Sequence, residues 1–345
     1  MTDLTTFSGG KLEVYFNSKR ANVDGQLTKR LVAFIEDTQT SLDVAIYDLT
    51  SPPVLKALAA VGKTGKRLRI AFDASGERPT NTTVDPKPGK THAAIKRYGL
   101  EKYATAVYMT GRHLMHDKFA IRDGNAVWTG SANFTRGGLA LQDNTCLRAL
   151  SVAMAKVYQP VFEALISDPT ALAAPTPAKP VTVGGVRISV YFAPAAGEGI
   201  DRLCTALLDG ATRVRLMAFV ITDPDILTSL ARFSAPGADI RGIVDPAAIT
   251  TARKIKSLSP AQLWWFKDER IRIARSHPFT ATGDNDFQHN KILVLDDRHV
   301  VGGSYNLSEN AEANDENLLV IDSPAVAAAY GAYFDAVYAT GKPRI

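Results

Sequence analysis

His116-Asp117-Lys118-Phe119-Ala120-Ile121-Arg122-Asp123 and His289-Asn290-Lys291-Ile292-Leu293-Val294-Leu295-Asp296 follow one pattern, H-x-K-x4-D, in two places. Fourteen residues after each His a second pattern begins, Gly130-Ser131-Ala132-Asn133 in one copy and Gly303-Ser304-Tyr305-Asn306 in the other. One H-x-K-x4-D string arises by composition alone in roughly a few of every hundred chains of this size. Two copies with an equally spaced companion motif predict an internal duplication.

The duplication extends beyond these motifs. Apolar, strand-like residues 42–50 align with residues 214–222, and a second strand that ends in Asp73 aligns with one that ends in Asp245. A stretch rich in Pro and Ala separates the copies, as is typical of a linker. The predicted parts are an N-terminal lobe over residues 1–168, a linker over 169–183 and a C-terminal lobe over 184–345.

Each copy alternates strands and helices, and it closes with an amphipathic helix, at residues 152–165 and 324–338. The strands near the motifs are continuously apolar, which is typical of a sheet buried on both faces. This pattern predicts the α/β class: two similar α/β/α lobes, packed about a pseudo-two-fold axis with the active site at their interface. Because both halves of the site belong to one chain, the site requires no oligomer.

Composition indicates a soluble globular protein. The 345 residues are 46% apolar and 22% charged, with a net charge of +5, a mild excess that permits a polyanionic partner without requiring one. No run of about 18 apolar residues occurs, so we expect no transmembrane segment. The first ten residues lack the blocks of a secretory signal, and we expect a cytoplasmic protein. Cys146 and Cys204 lie among apolar residues and are expected to be buried free thiols.

The motif residues suit a phosphodiester. Residues two apart on a strand face the same side, so His116 with Lys118, and His289 with Lys291, should line one cleft. One neutral imidazole can attack phosphorus while the other, protonated, donates to the departing oxygen. The lysines neutralise the non-bridging oxygens. Hydrogen bonds to the same oxygens are predicted from the amides and hydroxyls of the second motif, which are Asn133, Asn306, Ser131 and Ser304.

Two pairs of acidic residues complete the constellation. A carboxylate on the second ring nitrogen fixes the tautomer of a nucleophilic His. Asp143 and Glu316, each thirteen residues after the motif Gly and each followed by Asn, are predicted to supply it. Asp123 and Asp296 end the H-x-K-x4-D strings, and we expect them to be structural, holding a turn through backbone hydrogen bonds.

With both motifs duplicated, the chain resembles the phospholipase D superfamily over essentially its whole length. The resemblance implies a phosphodiesterase or phosphatidyl transferase that works in two steps through a phosphohistidine. It implies no metal and no cofactor. By family analogy His116 is the nucleophile and His289 the acid.

Within the superfamily, the strings Asn133-Phe134-Thr135 and Asn306-Leu307-Ser308 are similar to those of bacterial nuclease-type members. This favours nucleic acid as the substrate; a phospholipase D or phosphatidyl transferase acting on phospholipid is the alternative. Candidate phosphate contacts and base-stacking side chains are Arg112, Arg136, the basic residues of 253–256, and the aromatic residues 264–266.

Two other readings are weaker. A non-catalytic phosphate-binding protein would not need both motifs intact. Hydrolysis at zinc would need a ligand cluster, and although His113 and His116 are three residues apart, the carboxylates or thiolates that should accompany them are missing.

Overall fold

The computed structural model describes residues 4–75, 89–109, 113–170, 179–194, 199–278, 283 and 285–343. Arg112 lies outside these residues. The first half of the chain forms an eight-stranded sheet with the order β1-β2-β8-β7-β6-β3-β4-β5. Its strands are β1 (Leu4–Phe7), β2 (Leu12–Asn17), β3 (Ser41–Ile46), β4 (Arg67–Asp73), β5 (Ala104–Val107), β6 (Lys118–Arg122), β7 (Ala126–Gly130) and β8 (Asn144–Leu150). Its helices are α1 (Leu27–Glu36), α2 (Pro52–Lys63), α3 (Lys90–Arg97) and α4 (Val152–Ser167).

The second half repeats this plan. Its strands are β9 (Lys179–Val183), β10 (Val186–Ala193), β11 (Arg213–Ala218), β12 (Asp239–Val244), β13 (Ile271–Ile273), β14 (Lys291–Leu295), β15 (His299–Gly303) and β16 (Glu316–Asp322). Its helices are α5 (Ile200–Gly210), α6 (Pro224–Ala231), α7 (Pro246–Ala252) and α8 (Pro324–Ala339). The strand order β9-β10-β16-β15-β14-β11-β12-β13 matches that of the first sheet strand for strand, which confirms the predicted pair of similar α/β lobes.

Strand β9 corrects one part of the predicted domain organisation. Its five residues were expected in the linker because of their Pro and Ala neighbours, yet they pair antiparallel with β10. Val181 and Val183 are buried while the residues between and before them are exposed, so the segment has the two-residue period of a strand with one buried face. Pro180 fits because β9 lies at the end of the strand order, where a missing N–H costs no ladder bond.

The two lobes share one central core. A single buried apolar cluster contains side chains of α4 and α8 together with side chains of both sheets. Two further clusters lie on the outer faces, one with α1 and α2 and the other with α5 to α7. Aromatic contacts join the halves: the Tyr158 ring lies 5.1 Å from Phe192, and Phe16 stacks on Tyr333 at 4.9 Å. Because each buried aromatic side chain contributes about 1.5–3 kcal/mol, separating the lobes would be costly.

The loop that leads from the G-S-x-N motif to the last strand differs between the copies. The N–H of Ser131 donates to the carbonyl of Thr145, fourteen residues on, whereas the N–H of Ser304 donates to Asn317, thirteen residues on, both at 3.0 Å. The first copy therefore contains one more residue. Its loop forms a π-helix, Gly137–Leu141, where the second copy has a 3-10 helix. Hydrogen bonds run from i to i+5 in a π-helix and from i to i+3 in a 3-10 helix, so the turn of the first copy accommodates the longer chain.

This extra residue shifts the structural alignment. Asn144 begins β8 as Glu316 begins β16, so these two residues occupy equivalent positions. Asp143 is then equivalent to Asp315. Equal spacing in the sequence had paired Asp143 with Glu316, whereas the fold pairs Asn144 with Glu316.

Candidate active site

The two motif histidines lie where the lobes meet. The segment before each H-x-K strand pairs with the opposite lobe: the N–H of His116 donates to the Asp315 carbonyl at 2.9 Å, and that of His289 to Asp143 at 3.1 Å. Both histidines are buried, with exposures of 7% and 5%. The rings are close enough for the charge of His116 to help lower the pKa of His289.

Each imidazole is held by a residue of the other lobe. The Nδ1 atom of His116 lies 2.8 Å from a carboxylate oxygen of Glu316, and the Nδ1 atom of His289 lies 3.0 Å from the amide oxygen of Asn144. Acceptors at Nδ1 place the ring proton there and leave Nε2 for chemistry. Glu316, which the sequence predicts to orient an imidazole, is thus within hydrogen-bond distance of one. The two sites differ, because one partner is a carboxylate and the other an amide.

Asp143 does not contact an imidazole through its side chain. Its carboxylate forms a buried ion pair with Arg20, whose other nitrogens donate to the carbonyl of Asp286 and the hydroxyl of Thr340. The prediction that Asp143 orients a His thus differs from the structure, because the extra residue places Asn144 at that position. Arg20 joins the lobes and was missed, since a lone Arg after a strand carries no recognisable signal.

The two motif lysines are buried beside their histidines. Lys118 donates to the carbonyl of His116 at 2.5 Å, and Lys291 donates to that of His289 at 2.7 Å. An aromatic ring flanks each pair: Tyr47 lies edge-on to His116 with ring centroids 4.8 Å apart, and Phe219 lies 5.3 Å from His289. Sequence reasoning did not select these rings, although they occupy aligned positions of the duplicated strand.

Burial and mutual repulsion dominate the electrostatics. Desolvation, followed by the charges of the two lysines, lowers the pKa of both imidazoles well below the usual value. Desolvation lowers the pKa of Lys118 to about 8 and raises that of Glu316 to about 8. Without an anion the cleft therefore favours neutral imidazoles. A bound phosphate would restore the charged form of a His by direct attraction.

The second motif lines the cleft with amides. Asn133 and Asn306 are partly exposed, and within the described part of the chain their side-chain oxygens have no hydrogen-bond partner. The motif glycines are required by close packing. Gly130 and Gly303 have φ of 149° and 155°, and a Cβ at either would lie 2.3 Å from a carbonyl oxygen of the neighbouring strand.

The motif serines contact the residues that hold the imidazoles. Ser131 donates to the amide oxygen of Asn144 at 2.7 Å. Ser304 accepts from the N–H of Asn317 at 2.9 Å, and its side chain also contacts the carboxylate of Glu316. Both serines are buried. Through Asn144 and Glu316 the hydroxyls support the side chains at Nδ1 of the two imidazoles, and the predicted phosphate contact of the serines stays a prediction.

The last residue of each H-x-K-x4-D string is in the left-handed region, with φ of 51° at both Asp123 and Asp296. The Asp123 carboxylate accepts from the N–H groups of residues 39–41. Asp296 accepts from those of residues 212 and 213. These contacts hold the turn before β3 and β11 against the motif strand.

The remaining candidates are at or near the surface, and of these Arg136 lines the same opening as Asn133. Arg136 and the basic residues of 253–256 are exposed, Trp265 is buried, and its neighbours at 264 and 266 pack against the outer core of the second lobe. Cys146 and Cys204 are buried free thiols. Among the described residues, no group of three His, Cys, Asp or Glu side chains could hold a metal ion. No described helix is both long and apolar enough to cross a membrane.

Comparisons with known proteins agree with the duplicated architecture. A family model described as "Cardiolipin synthase, PLD-like domain" matches residues 31–166 and again residues 203–338. Mitochondrial cardiolipin hydrolase of Xenopus laevis is 26% identical over 136 residues, which are 39% of this chain and 59% of that protein. Phospholipase D of Rickettsia conorii is 25% identical over 147 residues, 42% of this chain and 66% of the relative.

The chain thus spans less than two thirds of the length of these relatives. Among solved structures, phosphatidylserine synthase of Haemophilus influenzae shares the fold with a TM-score of 0.69 and 14% identity. That likeness covers 99% of this chain and 89% of the synthase.

Proposed function

The chain belongs to the phospholipase D superfamily, and we propose that within it this protein is a metal-independent phosphodiesterase that hydrolyses nucleic acid. One observation carries the proposal: two buried imidazoles from the two lobes meet in one cleft, and each has its Nδ1 atom held by an acceptor across the interface. This arrangement leaves two Nε2 atoms to act on one phosphorus.

We assign the nucleophile to His116. Its Nε2 attacks phosphorus and forms a P–N bond while the P–O bond to the leaving group breaks. The ring acquires positive charge in this step, and the carboxylate of Glu316 stabilises that charge better than an amide could. The proton for the leaving oxygen comes from His289, whose partner Asn144 is neutral and so favours release of a proton.

The second step regenerates the enzyme. Water attacks the phosphohistidine and loses a proton to His289, which is neutral after the first step. The P–N bond breaks, His116 is restored, and the product leaves with its phosphate. In both steps charge on the phosphoryl oxygens is balanced by Lys118 and Lys291 in a cleft of low dielectric, where such interactions are strong.

Binding of the anionic substrate also determines whether His289 is protonated. Before binding, desolvation keeps His289 neutral. A phosphodiester carries a negative charge into the cleft, and this raises the pKa of His289, so that the acid becomes protonated as substrate binds.

The surroundings of the cleft favour nucleic acid. The opening beside Asn133 is lined by polar side chains with Lys90 and Arg136 at its rim, which suits a repeated phosphate backbone. The second candidate function is a phospholipase D or phosphatidyl transferase acting on phospholipid, which the names of the relatives in Xenopus and Rickettsia favour.

A side-by-side assay distinguishes the two. Labelled single-stranded DNA, duplex DNA, RNA, phosphatidylcholine vesicles and cardiolipin vesicles are incubated with the protein in EDTA. We expect cleavage of nucleic acid, lost in His116→Ala and in His289→Ala. Cleavage of lipid alone would establish the second candidate. Loss of all activity in EDTA, with recovery on adding a divalent ion, would contradict a metal-independent mechanism.

A further inference from the structure

A polar groove leaves the cleft on the side of the first lobe. It encloses about 370 Å³ and is lined by Asn133, Arg136, Lys90, Asn285 and Phe287 among others. The Phe287 ring, which lines the groove, lies 5.3 Å from the His289 ring. Lys90 also borders a second hollow of about 330 Å³, between α2 and α3, which Arg97 lines as well.

The two basic side chains at the groove are available for a ligand. Lys90 and Arg136 are exposed, and in the part of the chain that the structure describes neither has an ion-pair or hydrogen-bond partner. The carboxylate at the groove, Asp48, accepts a hydrogen bond from the hydroxyl of Thr91 at 2.9 Å and helps to stabilise the charge on Lys118. The groove therefore offers unpaired positive charge next to the reaction centre.

The second copy has the opposite charge at the position of Arg136. Arg136 stands three residues after Asn133, and Glu309 stands three residues after Asn306. Glu309 is also exposed. The side chain at this position of the duplicated loop therefore attracts an anion in the first copy and repels it in the second.

We propose that this groove binds the phosphate adjacent to the scissile one in a single nucleic-acid strand, with Arg136 and Lys90 as the residues that select a polyanion. The inference rests on the proposed nuclease function and names the subsite that the function needs. A guanidinium matches the paired oxygens of a phosphate, and an ammonium adds charge without geometric demand. A small diester with only one phosphate would have no second phosphate to place in the groove.

The test compares substrates with and without a second phosphate. Arg136→Gln, Lys90→Gln and the double variant are assayed on bis(p-nitrophenyl) phosphate and on oligothymidylate. Lys156→Gln is the control, because Lys156 is an exposed cation on α4 that does not line the groove. For oligothymidylate we expect kcat/KM to fall about tenfold in each single variant, as for loss of one hydrogen bond to a charged group. The small diester should react unchanged.

A neutral linkage sharpens the test. With a methylphosphonate beside the scissile bond, the wild type should lose the factor that the double variant loses on oligothymidylate, and on this substrate Arg136→Gln should match the wild type. If the wild type cleaves oligothymidylate and the variants match it, the subsite is wrong while the nuclease function stands. If the wild type hydrolyses only the small diester, the proposed nuclease function is wrong, and so is the proposal that the groove binds a nucleic-acid strand. If the variants instead reduce cleavage of cardiolipin vesicles, the groove binds the second phosphate of a lipid and our assignment is overturned.

Discussion

Glu316→Gln should separate the roles of the two imidazoles. The substitution keeps the size of the side chain and removes the charge 2.8 Å from Nδ1 of His116. An amide that donates to Nδ1 forces the ring proton onto Nε2, the atom that must attack phosphorus. The positive charge of the phosphohistidine also loses its counter-ion, in a position with no exposure to solvent.

The magnitude follows from these two losses. Replacing the carboxylate behind the His of a serine protease triad by an amide lowers kcat about 10⁴-fold. Glu316 is equally buried, so we expect a decrease of roughly 10²–10⁴-fold, or about 3–5 kcal/mol of transition-state stabilisation. The matched variant Asn144→Asp adds a carboxylate at the equivalent position beside His289, and it should fail to restore turnover to Glu316→Gln.

The assay is hydrolysis of bis(p-nitrophenyl) phosphate with rapid quenching, which detects the phosphohistidine. Burial raises the pKa of the Glu316 carboxyl, so the wild-type rate should rise with pH on a limb above the usual range of Glu as the carboxylate forms. Glu316→Gln should lack this limb. Wild-type kcat in a folded Glu316→Gln protein, or a phosphohistidine that forms on His289 instead, would refute the assigned roles.

Three further substitutions test other parts of the structure. Lys291→Ala should raise the activation barrier by about 3 kcal/mol, as removal of an oxyanion donor does, and steady-state kinetics would show the lower kcat. Asp143→Asn should leave most of kcat and cost about 3 kcal/mol of stability, because Arg20 loses its buried partner; a large loss of kcat in denaturant-resistant protein would restore Asp143 as an orienter. Burial raises the pKa of Asp117 to about 7, so its contribution to stability is present at low pH and is lost as pH rises through 7. Asp117→Asn, which copies Asn290 of the second motif, should therefore raise Tm by about 2 °C or more at pH 8 and by less at pH 5; equal shifts at both would contradict this.

Much of the architecture was predictable because the sequence contains two copies of the same pattern. The duplicated motifs predicted two similar lobes, and the strand periodicity placed each His beside its Lys. The interface followed from the chemistry, since one imidazole cannot act as nucleophile and acid in the same step. The outcome at β9 shows the limit of composition: a Pro-rich stretch was expected to be linker, and alternate burial of Val181 and Val183 made part of it a strand.

The partners of the imidazoles were less predictable. Equal spacing paired Asp143 with Glu316, and only the fold shows that a single extra residue in Gly137–Leu141 moves Asn144 into the equivalent position. Whether so short a segment forms a 3-10 helix or a π-helix depends on its packing against the rest of the lobe. The hydrophobic periodicity of the sequence does not predict this packing. The ion pair of Arg20 with Asp143 joins residues far apart in the chain, and no local sequence pattern predicts it.

The single inserted residue has an evolutionary consequence. An assembly of two identical subunits must present the same side chain beside both imidazoles, because one stretch of gene encodes both. Once the copies are joined in tandem, each can mutate without altering the other. Here one copy contributes a carboxylate and the other an amide, so selection can improve a proton donor and an attacking group separately.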